Sequence, residues 1–95
     1  MRVTLYHSTR PERAELIVRD GFVAGDQFVS DTPLPRRYGD LVLVLEWNGT
    51  PEELATYEYN KHQWRPHGND YREWRISGER LNQCPRPSVL PSRRV

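Results

Sequence analysis

The sequence contains one continuous apolar run, Leu41-Val42-Leu43-Val44-Leu45, within the segment from Asp40 to Trp47. A run of this length is typical of a β-strand that is buried on both faces. We therefore expect this segment to lie at the centre of a β-sheet. The chain has 95 residues, and compact domains usually contain about 50 to 200 residues, so one such domain accounts for it.

Shorter patterns on either side of the apolar run predict an α+β domain. Alternating polar and apolar residues predict a first strand that ends at His7. Thr9 and Glu12 have the spacing of a helix capping box, and the helix that they begin is expected to stop at Gly21. A short helical turn capped by Thr50 is predicted at 51–54, and further strands are predicted at 27–30, 55–59, 71–76 and 80–82.

The chain divides into one predicted domain, residues 1–83, and a tail, residues 84–95. The tail combines prolines and arginines with few apolar residues, so we expect it to be flexible or loosely packed. No internal repeat and no second domain are indicated.

The net charge, the single cysteine and the lack of long apolar segments limit the partners and the compartment that we expect for this protein. The net charge is +1 with 28% charged residues, which does not favour nucleic acid or an acidic membrane as a partner. Cys84 is the only cysteine, which excludes an intramolecular disulfide and a thiolate metal site and fits a reducing compartment. No segment has the apolar length of a signal peptide or a membrane span. We therefore expect a cytoplasmic monomer with no membrane partner.

Three features are candidates for a functional site. His7 lies at the end of the first predicted strand, Ser30 and Asp31 follow an aromatic strand, and Glu73 lies within a late strand. Taken singly, His7 is also explained as a structural histidine and Glu73 as a surface carboxylate. Alternation in the predicted strand 71–76 puts Trp74 and Ile76 on one face and Glu73 and Arg75 on the other, so the Glu73 carboxylate points either into solvent or into a cleft.

The order of three segments is more specific than any one residue. Leu5-Tyr6-His7-Ser8-Thr9 precedes a helix that ends at glycine, Gln27-Phe28-Val29-Ser30-Asp31 is a strand centred on an aromatic residue, and Tyr71-Arg72-Glu73-Trp74-Arg75-Ile76 places a glutamate before an aromatic residue. In this order they resemble the three motifs of the ADP-ribosyltransferase superfamily, in its poly(ADP-ribose) polymerase-like and diphtheria-toxin-like branch. The resemblance extends over residues 3–83.

The resemblance implies a fold and an activity. The fold is a split, curved β-sheet with one main helix and short helical turns. The activity is transfer of ADP-ribose from NAD⁺ to a macromolecular acceptor, a protein or a nucleic acid, or hydrolysis of NAD⁺, with no metal. Cleavage of the nicotinamide–ribose bond develops oxocarbenium character, as glycoside hydrolysis does.

The resemblance also implies roles for individual residues. Glu73 is the catalytic carboxylate that accepts the ribose 2′-hydroxyl and stabilises the developing cation. His7 holds a ribose hydroxyl of the adenosine half, so both side chains are expected to face one cleft. Arg10 is a weaker candidate near the pyrophosphate. The implied cofactor-binding residues are His7, Ser8, Thr9, Phe28, Ser30 and Tyr38.

Two positions depart from the motifs of the superfamily. Ser8 occupies a position that is usually glycine, which makes close backbone approach more costly there. Phe28 occupies a position that is usually tyrosine, which keeps an aromatic face but removes a hydroxyl. The loop 61–70 precedes the Glu73 strand, where the superfamily commonly has its acceptor-recognition loop, so Trp64 and Arg65 are implied as acceptor-recognition residues.

Two other functions stay open. The chain is alternatively a module that keeps the fold and binds NAD⁺, ADP-ribose or a protein without turnover. It is alternatively a small ribonuclease, with His7, His62 and His67 as acid and base groups, or an NAD⁺-dependent RNA 2′-phosphotransferase. The low net charge opposes RNA binding, and the chain has no room for the separate RNA-binding lobe of such phosphotransferases.

Overall fold

Within residues 3–33, 40–59 and 71–90, which the computed structural model describes, six antiparallel strands form one open sheet. The strands are β1 (Val3–Thr9), β2 (Asp26–Ser30), β3 (Leu41–Trp47), β4 (Glu58–Tyr59), β5 (Glu73–Ser77) and β6 (Ser88–Val89). The helices are α1 (Pro11–Asp20), α2 (Pro51–Thr56) and α3 (Gly78–Leu81). The predicted α+β class, with one main helix and short helical segments, is confirmed.

The sheet consists of two well-paired parts that meet at one register position. The strand order is β4-β5-β2-β1-β3-β6. β1 pairs with β3 along its whole length, and β2 pairs with β5 along its whole length. β1 and β2 pair only where Tyr6 lies opposite Ser30. Within the sheet, this junction between β1 and β2 is the place where the fewest residues pair.

The hydrophobic core lies on one face of the sheet, against the helices. Helix α1 buries Ala14 and Ile17, which recur at helical spacing on one side. The main strand contributions to this core are Leu5, Val29, Leu43, Leu45, Trp47, Trp74 and Ile76. We predicted a central, doubly buried strand at 40–47. The strand β3 is present, but it lies next to the edge strand β6, and β1 and β2 occupy the centre.

Three local predictions were wrong because pairing and capping overrode short-range patterns. Strand β1 continues through Thr9, which pairs with Leu41, so Arg10 is the N-cap residue of α1 and makes no side-chain cap hydrogen bond. Helix α2 continues to Thr56, and only the end of the predicted strand 55–59 is extended. The predicted strand at 80–82 is absent. The Ser77 hydroxyl accepts a hydrogen bond from the backbone N–H of Arg80 and so caps helix α3 at this position.

The structure also differs from the prediction of a loose tail from residue 84 onward. Cys84 is buried against the core, and Pro87 is buried. Strand β6 pairs with β3, and the backbone N–H of Leu90 donates to the Val42 carbonyl at 2.8 Å. Residues 84–90 therefore belong to the domain. Residues 91–95 lie outside the described residues.

Side-chain hydrogen bonds attach the two short helices to the rest of the domain. The amide of Asn82 accepts from the backbone N–H of Phe22 at 2.7 Å and donates to its carbonyl at 2.9 Å, which ties the end of α3 to the turn after α1. Arg80 binds Glu53 of α2, with Nε–Oε2 at 2.8 Å, and its guanidinium lies 4.3 Å from the centre of the Trp47 ring. The hydrogen bond from Arg80 lowers the pKa of Glu53.

Candidate functional site

Glu73 lies on the sheet face opposite the core. It pairs with Ser30 of β2 and with Tyr59 of β4, and Ser30 in turn pairs with Tyr6 of β1. Residues directly opposite each other in an antiparallel sheet share a face, so these four side chains form one row across the strands. Glu73 is only 3% exposed. A carboxylate this deeply buried is rare unless it is bound by other groups or serves a function.

The ends of β2 and β5 are held together beside Glu73. The backbone N–H of Asp31 donates to the Arg72 carbonyl at 3.1 Å, and the Asp31 carboxylate accepts from the backbone N–H of Arg72 at 2.9 Å. Ser30 is 5% exposed, and its hydroxyl donates to the Thr32 carbonyl at 2.7 Å. The two contacts between Asp31 and Arg72 support the register that puts Glu73 opposite Ser30.

His7 lies at the junction between β1 and β2. Its Nδ1 lies 2.7 Å from the Phe28 carbonyl oxygen. A carbonyl only accepts hydrogen bonds, so Nδ1 carries the proton in this contact. The imidazole also meets the ring of Phe22 edge to face, with 5.4 Å between the ring centres, and His7 is 8% exposed. This side chain supplies a hydrogen bond where the β1–β2 ladder has ended.

The strand register places His7 and Glu73 on opposite faces of the sheet, against our prediction that both side chains face one cleft. Tyr6 lies opposite Ser30 and therefore shares the face of Glu73. Successive residues of a strand alternate between faces, so His7 turns to the core face, where it pairs with Leu43. The two side chains approach a common ligand only if that ligand occupies the junction between β1 and β2.

Ser8 lies on the Glu73 face, because it alternates with His7. Its hydroxyl oxygen is buried and has no hydrogen-bond partner within the part of the chain that the structure describes. A buried hydroxyl without a partner costs about 1–3 kcal/mol. Because this oxygen is closed to solvent, a polar ligand group would satisfy it only if the neighbouring side chains move apart. Under that condition Ser8 is a side-chain candidate for ligand binding.

Of the other predicted site residues, Phe28 and Thr9 lie in strands on opposite faces of the sheet, and three more lie outside the described residues. Phe28 pairs with Arg75 on the Glu73 face, is 38% exposed, and touches the ring of Tyr59 with 5.3 Å between the ring centres. Thr9 lies on the core face with His7. Tyr38, Trp64 and Arg65 lie outside the described residues, so their roles stay predictions.

Sequence reasoning passed over Arg75 as a site residue. The signal was present, because the alternation in 71–76 already placed Arg75 on the same face as Glu73. Tyr59 was missed for a different reason: only the pairing of β4 with β5 brings it beside Glu73. Arg72, which precedes Glu73 in the chain, binds Glu58 of β4. Its Nε and Nη2 donate to the two carboxylate oxygens of Glu58 at 2.9 and 2.7 Å, and this hydrogen bonding raises the pKa of Arg72.

Known proteins offer no template for this site. The chain matches no protein-family model, no curated protein and no solved structure. Across the described ranges, no group of three or more His, Cys, Asp or Glu side chains has a metal-binding arrangement, and no helix is long and apolar enough to cross a membrane. Any proposal of function therefore rests on the geometry of the Glu73 face together with the resemblance of the three sequence segments.

Proposed function

We propose that the chain binds NAD⁺ on the Glu73 face at the β1–β2 junction, and that it transfers ADP-ribose to a macromolecular acceptor or to water. The observation that carries this proposal is the burial of the Glu73 carboxylate in a row of hydroxyl-bearing side chains at the place where the sheet ladder is interrupted. A ribose ring offers hydroxyl groups that match such a row.

The proposed chemistry needs one well-placed carboxylate. The bond between ribose C1′ and the nicotinamide nitrogen breaks, and its electron pair leaves with the nicotinamide, whose positive charge is thereby neutralised. The acceptor oxygen or nitrogen then forms a bond to C1′ and loses its proton to solvent. Glu73 accepts the ribose 2′-hydroxyl hydrogen bond and stabilises the positive charge that develops on the ribose.

His7 is proposed as a positioning residue. Its Nδ1–H is held by the Phe28 carbonyl, which fixes the ring orientation. From the junction, the imidazole would hold a ribose hydroxyl of the adenosine half. The role requires no proton transfer by His7.

Binding without turnover is a second candidate function. The alternation of His7 to the core face favours it, because the contacts with Phe22 and the Phe28 carbonyl already explain a buried histidine in structural terms. In this alternative, the Glu73 face binds NAD⁺ or ADP-ribose but does not activate the nicotinamide–ribose bond.

Incubation of the purified protein with NAD⁺ distinguishes the two functions. We expect calorimetry to detect NAD⁺ binding, and chromatography to detect nicotinamide that accumulates with time. Binding with no nicotinamide above the rate in buffer would support the second function. Absence of NAD⁺ binding would contradict both functions.

Replacement of Ser8 by alanine is expected to separate binding from folding. Because the Ser8 hydroxyl has no described partner, its removal should leave the melting temperature unchanged or slightly higher. If NAD⁺ supplies the missing partner, affinity should fall by about 5-fold to 10-fold, as for loss of one neutral hydrogen bond. Ser88→Ala on β6 is the matched control. A lower melting temperature with unchanged affinity would show that Ser8 is structural.

A further inference from the structure

Arg75 presents a guanidinium group on the same face as Glu73. Glu73 and Arg75 are separated by one residue in β5. Because a strand rises about 3.3 Å per residue, their Cα atoms lie about 6.6 Å apart. The Arg75 side chain is 53% exposed. The guanidinium of Arg75 therefore lies on the face of the candidate site and is accessible to a ligand from solvent.

The position of this guanidinium is defined by its neighbours. The backbone N–H of Arg75 donates to the Tyr57 carbonyl at 3.0 Å, which fixes β5 against the end of α2. The guanidinium carbon lies 5.6 Å from the centre of the Tyr59 ring. Stacking of this kind orients the planar group and reduces the entropy that it loses on binding a ligand.

Most of the hydrogen-bonding capacity of Arg75 is unused within the described residues. Its ion-pair partner there is Asp26, with Nε–Oδ2 at 3.6 Å, a distance longer than a good hydrogen bond. Both side chains are more than half exposed, and such surface pairs contribute little stability. An arginine has five N–H donors in a planar fork that matches the oxygens of a phosphate.

A cavity of about 310 Å³ lies beside this fork and is large enough for a phosphate group. Arg75, Tyr59 and Ser77 supply donors to its wall. The carboxylates of Glu58 and Asp26 also line the cavity, and they differ in how strongly they repel an anion. The charge of Glu58 is neutralised by Arg72, with contacts of 2.7 and 2.9 Å, whereas the charge of Asp26 opposes the binding of an anion.

We infer that Arg75 is a phosphate-binding residue, which holds the pyrophosphate of NAD⁺ while the ribose of the nicotinamide half lies at Glu73. The inference rests on the proposed function. It is supported by the spacing of Glu73 and Arg75, which is comparable with the distance from a ribose ring to its 5′-phosphate. It also assigns a role to Asp26, whose carboxylate competes with the phosphate for the same guanidinium.

The two residues are therefore expected to have opposite effects on affinity. Arg75→Gln removes a charged donor and should weaken NAD⁺ binding by about 10-fold, the usual consequence of losing one charge-assisted hydrogen bond. Asp26→Asn removes the competing carboxylate and should strengthen NAD⁺ binding by about 2-fold to 5-fold. Arg19→Gln is the control, because Arg19 is an exposed arginine of α1 that pairs with Asp20.

Calorimetric titration of the four proteins with NAD⁺, at low and at moderate salt, tests the inference. Arg75→Gln should also flatten the salt dependence of affinity, since screening acts on the lost charge pair. Nicotinamide riboside, which has no phosphate, should bind to wild type and to Arg75→Gln equally. An Arg75→Gln affinity and salt dependence equal to those of wild type would overturn the inference and leave the proposed function intact. A wild type that does not bind NAD⁺ would overturn both.

Discussion

Replacement of Glu73 by glutamine is expected to lower nicotinamide release from NAD⁺ by about 100-fold or more, with NAD⁺ affinity changed by no more than a few-fold. Glutamine has the same shape as glutamate and can still accept a hydrogen bond from a ribose hydroxyl. It has no negative charge to stabilise the oxocarbenium-like transition state. Groups that act mainly in the transition state contribute factors of roughly 10² to 10³ to turnover.

The matched control is Glu46→Gln. Glu46 lies on the same face of the sheet as Glu73, on β3, where it accepts a hydrogen bond from the Thr4 hydroxyl at 2.8 Å. It is separated from the Glu73 strand by β1 and β2, so the control should release nicotinamide at the wild-type rate. Initial rates and NAD⁺ dissociation constants are measured for all three proteins. Equal turnover in wild type and Glu73→Gln would remove Glu73 from the catalytic role.

Replacement of Gly78 by alanine is expected to destabilise the domain strongly. A Cβ atom at this position would lie 1.9 Å from the Val23 carbonyl oxygen and 3.3 Å from the Cβ of Phe22. The main obstacle belongs to the backbone, which cannot rotate away as a flexible side chain does. Overpacking of this kind costs about 1–3 kcal/mol and occasionally more. For a domain of this size the melting temperature should fall by about 10 °C or more.

The effect of Gly78→Ala should reach the candidate site, because Gly78 follows β5 directly and its backbone N–H donates to the Gly25 carbonyl at 2.8 Å. Displacing it moves the strand that carries Glu73. Glu79→Ala is the control, since Glu79 is exposed in the same helix. Thermal unfolding followed by circular dichroism compares the variants. A Gly78→Ala melting temperature within 2 °C of Glu79→Ala would contradict the close approach of Gly78 to the Val23 carbonyl, because the expected loss is about 10 °C.

The amino-acid sequence by itself determined the local elements whose signals are strong. The alternation in 71–76 correctly placed Trp74 and Ile76 on one face, with Glu73 and Arg75 on the other. Gly21 ended the first helix with a positive φ of 99°, and Thr50 capped the second. These features depend on backbone geometry and on neighbours a few residues away, which a sequence displays directly.

Only the tertiary structure decided which strands pair, and in what register. Arg80 and Leu81 had a strand-like pattern, but the Ser77 cap made them helical, and the pairing of β6 with β3 brought residues 88–89 into the sheet. The largest consequence concerns the site. His7 and Glu73 occur in the expected order in the chain, yet the single Tyr6–Ser30 pair turns His7 to the core face. A strand has a period of two residues, so a register difference of one residue exchanges the faces, and no local pattern encodes that choice.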